Sequence, residues 1–315
     1  MTHQRRKIGT SDLSVFPLSL GGNVFGWTAD ESTSFAVLDA YVEGGGNFVD
    51  TADSYSFWAP GNVGGESEGI IGRWLAARGN RDEMVVATKV SQLPEFEGIA
   101  PETVVAGADA SLRRLGIDTI DLYYAHFDQP ERPLGDTVAA FSGLVDSGKV
   151  RHIGISNFSP QRIAEWLSIA ADNGLHTPVA LQPQYSLVER GIEAALVPLA
   201  VENELGVMPY YSLARGFLTG KYAGGATVDS PRAAAASAYL DERGNRVLAV
   251  LSQIADGHGV APASIALAWL ASRPSVVAPT ASARVPEQLV DLLASTRVTL
   301  AQDEIEALTR ASDLV

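Results

Sequence analysis

The chain reads as an α/β protein of the (β/α)8 TIM-barrel type. Three observations predict it. Short apolar runs alternate with helical stretches along the chain. The runs number eight, spread over about 250 residues, the usual size of that fold. Most are apolar throughout, as expected for parallel strands buried on both faces. A doubly wound sheet is the alternative assembly of the same elements.

An N-terminal β-hairpin comes first: "RRKI" and "LSVF" flank the turn-rich "GTSD". Barrel strands are expected at Leu18–Leu20, Asn47–Asp50, Met84–Lys89, Thr119–His126, Val150–Ser156, Val179–Gln182, Gly206–Tyr211 and Val276–Pro279. Between them, Val104, Ala108, Leu112 and Leu115 recur at helical spacing, with Pro101 in a first turn and Gly116 as a stop. "SPQRIAEWLSIAADNG" repeats the scheme, with Ser159 as N-cap, Pro160 at the first position and Gly174 at the end. "VPEQLVDLLAS" is a further apolar-faced helix, one of the extra helices expected near the C-terminus. The small-residue stretch Ala223–Ser237 reads as a long mobile loop after strand seven. No linker or composition shift divides the chain, so residues 1–315 are expected to form one domain.

Composition narrows the function. The 315 residues are 46% hydrophobic, ample for a large core, and carry a net charge of -14. The nearest thing to a basic cluster, Arg5-Arg6-Lys7, is too short for a nucleic-acid footprint. There is no cysteine, which excludes disulfides, thiolate metal sites and cysteine nucleophiles. The other histidines, His3, His152, His176 and His258, lack metal-ligand spacing, and no metal site is expected. The N-terminus lacks a signal-peptide apolar stretch and no run is long enough to span a bilayer, so a cytoplasmic protein without membrane contact is expected. Monomer and homo-oligomer remain equally open.

Several expected strands end in a polar residue: Asp50, Lys89, His126, Ser156 with Asn157, Gln182, and Tyr210 with Tyr211. In a (β/α)8 barrel these ends meet at one mouth, where active sites sit. A tyrosine, with a reference pKa of about 10, is a poor acid at neutral pH. A nearby ammonium favours the phenolate. Lys89 can supply that charge to Tyr55, Asp50 can serve as its counter-ion, and His126 can donate to a substrate oxygen. Such a cluster protonates a developing alkoxide and suits carbonyl reduction by a hydride donor.

These residues carry a resemblance. The chain resembles the aldo-keto reductase family over nearly its whole length, in the branch that includes bacterial members and potassium-channel beta subunits. "DTADSY", "VVATKV", "LGIDTIDLYYAHFDQP", "GKVRHIGISNFS", "LQPQYSLVER" and "YYSLARGFLTGKY" match its segments in order. The resemblance implies a catalytic tetrad of Asp50, Tyr55, Lys89 and His126, with Tyr55 as general acid in reduction. It implies NADP(H) as cofactor. Ser156, Asn157 and Gln182 would hold the nicotinamide amide and Tyr211 would stack on its ring. Residues from Ser212 to Lys221, including Leu213, Arg215 and Gly216, would follow the pyrophosphate. Arg284 would reach the 2′-phosphate, with Gln288 and Asp291 near the adenine. Arg284 favours NADP over NAD, since a guanidinium matches a phosphate. Two positions depart from the family: Leu213 stands where many members have proline, and Ser282 where glycine is usual.

Single residues have plainer readings. An Asp or Lys at a strand end is more often a solvated rim residue, and only the set reverses the odds. Trp27 divides about evenly between a wall of a substrate pocket and packing under a loop, and Trp58 leans slightly towards packing. Trp74, Trp166 and Trp269 fall on apolar helix faces and read as core. "GLVDSGKV" fails as a P-loop, because Val150 follows the lysine, and reads as a turn before strand five.

The expected activity is NADPH-dependent reduction of a small aldehyde or ketone to an alcohol. The carbonyl stays open between sugar, steroid, pyridoxal-like aldehyde and toxin ketone, and so does the physiological direction. Two other classes compete. A cofactor-binding regulatory subunit of a membrane channel would keep the tetrad. A barrel hydrolase needs two facing carboxylates, and the mouth offers only Asp50.

Overall fold

The computed structural model describes residues 5–222 and 233–313. The expected hairpin is present as β1 (Arg6–Lys7) antiparallel to β2 (Ser14–Val15). A parallel sheet follows: β3 (Ser19–Gly21), β4 (Phe48–Asp50), β5 (Val85–Val90), β6 (Ile120–Ala125), β7 (Val150–Ser156), β8 (Ala180–Gln182) and β9 (Gly206–Val207). The eighth strand, β10 (Thr280–Ala281), lies beside β3. Val207 bridges Val276 on the other side, with Val277 N–H donating to Val207 O at 2.9 Å, and the ring closes into a barrel.

The last strand departs from the expected Val276–Pro279. That segment is split in function: Val276 and Val277 pair with β9, and pairing with β3 begins only at Thr280. Pro279 has no N–H to give to a ladder, and its carbonyl instead accepts from Ser19 N–H at 3.0 Å. A proline also shortens β9, which ends at Val207 rather than Tyr211. Pro209 interrupts it, leaving Tyr210 as an isolated bridge to Gln184.

Helices cover the outside. They are α1 (Glu31–Glu43), α2 (Glu66–Arg78), α3 (Pro101–Leu115), α4 (Gly135–Asp146), α5 (Pro160–Asn173) and α6 (Leu196–Glu202). Between β9 and β10 lie α7 (Ala233–Ser237), α8 (Glu242–His258) and α9 (Pro262–Ala271), and α10 (Glu287–Ala294) and α11 (Gln302–Ala311) end the chain. The capping reading holds: Ser159 Oγ accepts from Arg162 N–H, and Gly174 stops α5 in the left-handed region. Of the loop expected over Ala223–Ser237, residues 223–232 lie outside the described residues, and the remainder is α7, a short alanine-rich helix.

The core has two layers. Trp74, Trp166 and Trp269 are fully buried in the layer between sheet and helices. Inside the barrel, Phe48, Val85, Ala87, Leu122, Tyr124 and Val277 form a second cluster with Ile8, Leu13 and Val15 of the hairpin. Phe48 and Val85 begin their strands, so the hairpin closes the N-terminal end of the barrel. Its turn must approach the strands closely. A Cβ at Gly9, which has φ +51°, would meet Val179 O at 2.4 Å. With that end closed, the C-terminal end carries the cavity.

Candidate active site

Strand ends converge as the sequence predicts. Asp50 ends β4, Lys89 is the last residue but one of β5, and His126 follows β6 directly. Lys89 is 0% exposed. Its Nζ donates to Asp50 Oδ2 at 2.7 Å, to Thr51 O at 2.7 Å and to the Tyr55 hydroxyl at 3.1 Å. Three donors thus meet three acceptors, which makes a buried ammonium tolerable. Burial pushes the Lys89 amine down from its ordinary value, and Asp50 is the strongest influence holding it up. The other oxygen of Asp50 accepts from Gln182 Nε2 at 2.7 Å. Asp50 therefore bridges the lysine and the end of β8.

The Tyr55 hydroxyl also lies 3.4 Å from Asp50 Oδ2, and its ring is 6.3 Å from the His126 ring. Burial, and secondarily the charge of Lys89, hold the His126 imidazole well below its usual pKa. His126 is neutral at neutral pH and can donate one hydrogen bond into the cavity. The four residues of the expected tetrad form one cluster.

A cavity of about 790 Å³ opens on this cluster. Asn157, Gln182, Tyr211, Ser212, Leu213, Arg215, Gly216, Lys221, Arg284, Gln288 and Asp291 all line it, as do Trp27 and Trp58. Ser156 is buried behind this wall, donating to Gln182 O at 2.8 Å. Asn157 is held by three contacts: Nδ2 donates to His126 O and Ser156 Oγ, and Oδ1 accepts from the Tyr210 hydroxyl at 2.7 Å. Among the residues lining the cavity, the cations are Arg215, Lys221 and Arg284, all from the loop after β9 and the segment after β10.

The loop after β9 is strained. Tyr211, Ala214 and Arg215 all have φ near +50 to +60° (50°, 47° and 59°), uncommon for residues other than glycine. The Arg215 guanidinium stacks 4.2 Å from the Tyr211 ring centre. Ser282 Oγ donates to Asn23 Oδ1 at 2.6 Å. Gly21 makes room for it, since a Cβ there would sit 2.6 Å from Ser282 Oγ.

Sequence reasoning missed several residues. Phe57 and Phe127 line the cavity and flank Trp58 and Tyr55's partner His126; their adjacency in sequence was the available signal. Asn62 Nδ2 donates to Gly26 O and Ser56 O, both at 2.9 Å, and so ties the loop after Tyr55 to the loop after β3. Behind the cluster, Glu68 is fully buried, accepting from Thr88 Oγ1 at 2.5 Å and Arg114 Nε at 2.6 Å. Asp53, also buried, has no hydrogen-bond partner of good geometry on either carboxyl oxygen. Nothing in the spacing of Asp53, Glu68 and Arg114 signals that they meet.

His152, His176 and His258 each pair with a surface carboxylate, of Asp12, Asp146 and Glu304 respectively. Among the described residues, no group of three or more His, Asp or Glu is arranged to hold a metal ion, and no helix is long and apolar enough to cross a membrane.

Known proteins resemble the chain along most of its length. The chain is 31% identical to Protein tas of Escherichia coli over 96% of this chain and 97% of that protein. It is 34% identical to a probable voltage-gated potassium channel subunit beta of Oryza sativa, over 91% of this chain and 89% of that one. It is 33% identical to the norsolorinic acid reductase stcV of Emericella nidulans, over 93% of this chain and 77% of that one. The aldo/keto reductase family model matches residues 17–313, and the chain belongs to that family of oxidoreductases.

Proposed function

We propose that the protein is an NADPH-dependent reductase of small aldehydes or ketones, with Tyr55 as the proton donor. The observation that carries the reading is the Tyr55 hydroxyl held 3.1 Å from the buried Lys89 ammonium at the cavity. The residues present fit a nicotinamide dinucleotide phosphate. The cavity is near the upper end of the usual ligand range of about 300–1,000 Å³, and Arg215, Lys221 and Arg284 on its wall suit a polyanion.

When bound, the cofactor supplies a hydride to the carbonyl carbon. Tyr55 gives its proton to the carbonyl oxygen, which leaves an alcohol and a phenolate. Lys89 stabilises that phenolate by its charge, in a setting where water does not screen it. Asp50 keeps Lys89 charged and aimed, and Gln182 fixes Asp50 in turn. Neutral His126 donates a hydrogen bond to the carbonyl oxygen and orients it. Solvent then returns the proton to Tyr55.

On the adenosine side, Ser212, Leu213, Arg215, Gly216 and Lys221 would hold the pyrophosphate, Arg284 would take the 2′-phosphate, and Gln288 and Asp291 would serve the adenine. Asn157, Gln182 and the buried Ser156 behind them would hold the nicotinamide, and Tyr211 would offer its ring to it. Residues 1–315 act as one domain, in the cytoplasm.

Purified protein mixed with NADPH and an aldehyde tests this directly. Oxidation of NADPH dependent on the aldehyde supports the reading. Absence of both NADPH binding and turnover removes it. The relative in Oryza sativa favours a second reading, a cofactor-binding subunit of a channel. Cofactor binding without turnover of any carbonyl would favour that one.

A further inference from the structure

Inside the barrel, beside the Asp50–Lys89 pair, stands a tyrosine with no part in the proton transfer. Tyr124 lies on β6, in the strand that delivers His126, and is fully buried. In strand register it pairs with Lys89 of β5 on one side and with Gly154 of β7 on the other. Residues paired in this way share a face of the sheet, and here that face is the barrel interior. Gly154 leaves the space that the ring fills, since a Cβ there would meet Tyr124 Cδ1 at 2.4 Å. The Lys89 ammonium thus lies near two tyrosine rings, 4.7 Å from the centre of Tyr55 and 5.8 Å from that of Tyr124.

The Tyr124 hydroxyl has no hydrogen-bond partner of good geometry. Tyr41 and Tyr123, equally buried, donate to Leu18 O at 2.6 Å and to Val104 O at 3.3 Å. A buried hydroxyl that donates to nothing loses its hydration without compensation. The polar groups that act on it are Asp50 and Gln182. Burial, followed by the charge of Asp50, pushes the phenol well above its usual pKa, and Gln182 pulls the other way. It is therefore a neutral phenol with a proton to donate.

The acceptor beside it is already taken. Asp50 Oδ2 receives Lys89 Nζ and Oδ1 receives Gln182 Nε2, both at 2.7 Å. Gln182 also lines the cavity, where an amide on a ligand competes for its side chain. A ligand that draws Gln182 away leaves Asp50 Oδ1 buried, charged and short of a donor. Lys89 depends on that same carboxylate.

We propose that Tyr124 is a positioning residue: its hydroxyl stands in reserve and donates to Asp50 Oδ1 when Gln182 turns to a carboxamide in the cavity. Asp50 then stays satisfied, and Lys89 keeps its aim at Tyr55, with Gln182 engaged elsewhere. That a carboxamide draws Gln182 off rests on the reductase reading, in which Gln182 serves the nicotinamide.

A double-mutant cycle on the protein without cofactor tests the exchange. Wild type, Tyr124→Phe, Gln182→Leu and the double variant are unfolded in urea. Alone, Tyr124→Phe should leave the midpoint unchanged or raise it, because it deletes a hydroxyl that donates to nothing. In the Gln182→Leu background the same change should raise the unfolding constant by at least about tenfold, the scale of a hydrogen bond to a charged group. Gln182→Met takes the place of Gln182→Leu if the latter does not fold. The second readout is fluorescence titration, in which Tyr124→Phe should bind NADPH about tenfold more weakly than wild type, since only the bound state uses the hydroxyl. A merely structural Tyr124 would move the midpoint equally in both backgrounds and leave NADPH affinity alone. Either of those results overturns the proposal. Wild-type protein that binds neither NADPH nor NADH removes the reductase reading, and the four midpoints still decide whether Tyr124 takes over from Gln182.

Discussion

The Lys89 ammonium, itself fully buried, sits 3.1 Å from the Tyr55 hydroxyl at the cavity wall. A charge in that position interacts far more strongly than one at a surface. It also has to be balanced, and Asp50 at 2.7 Å balances it. Lys89→Met should therefore have two separable effects. Turnover should fall by about 10²–10⁴-fold, because the phenolate loses its stabilising charge. Stability should fall by about 3–5 kcal/mol, because Asp50 is left buried and unpaired. Steady-state kinetics and urea unfolding of the same preparation read the two effects. A turnover rate within a few-fold of wild type would break the Lys89–Tyr55 coupling.

Tyr55→Phe removes the proton and keeps the ring. NADPH affinity should stay close to wild type while kcat drops by about 10²–10⁴-fold. Fluorescence titration and a carbonyl reduction assay check both halves. Reduction at the wild-type rate would assign the acid to another group.

Arg284 lines the cavity on the segment that leads into α10. If its guanidinium takes the 2′-phosphate, Arg284→Ala should weaken NADPH by about 10–100-fold, the worth of a charged hydrogen bond. NADH affinity should hardly change. Parallel titrations with both cofactors give the comparison, and equal losses for the two would move the phosphate elsewhere.

Asp53 makes stability depend on pH. Burial, and then the charge of Glu68, push its carboxyl up to about 7 from an ordinary 3.8, against the pull of Arg114. The sign follows from proton uptake: between those values the folded state holds a proton that the unfolded chain has released. Its contribution is greatest below about pH 4. Stability is then lost as pH rises towards 7 and levels off beyond it. The full span is at most about 4 kcal/mol. Asp53→Asn removes the titration, so its urea midpoint should rise relative to wild type from pH 5 to pH 8. Parallel midpoints across that range would show that Asp53 is ionised at both ends.

Much of this protein was legible before folding. Local rules sufficed for α3 and α5, where Pro101, Ser159, Pro160, Gly116 and Gly174 mark the ends. They sufficed for the barrel too, because apolar strands buried on both faces have few alternatives. Asp50, Lys89, His126 and Gln182 were visible as polar residues closing apolar runs, and Tyr55 as the acid that Lys89 could tune. Boundaries failed where a single proline intervened, at Pro209 and Pro279. There the period of the pattern continued and the hydrogen-bond ladder did not.

Sequence alone thus determined the alternation of elements and which polar groups stand at the barrel mouth. Both follow from side-chain chemistry and from spacing within one element. Tertiary structure decided which of those groups touch. Gln182 donates to Asp50 across 132 positions of chain, and Asn157 accepts from Tyr210 across 53. It also decided that Glu68, Arg114 and Asp53 meet in the interior, and that Trp27, Trp58 and Phe127 join into one rim. Those contacts depend on strand register and barrel curvature, which are set by packing of the whole ring and leave no trace in local spacing.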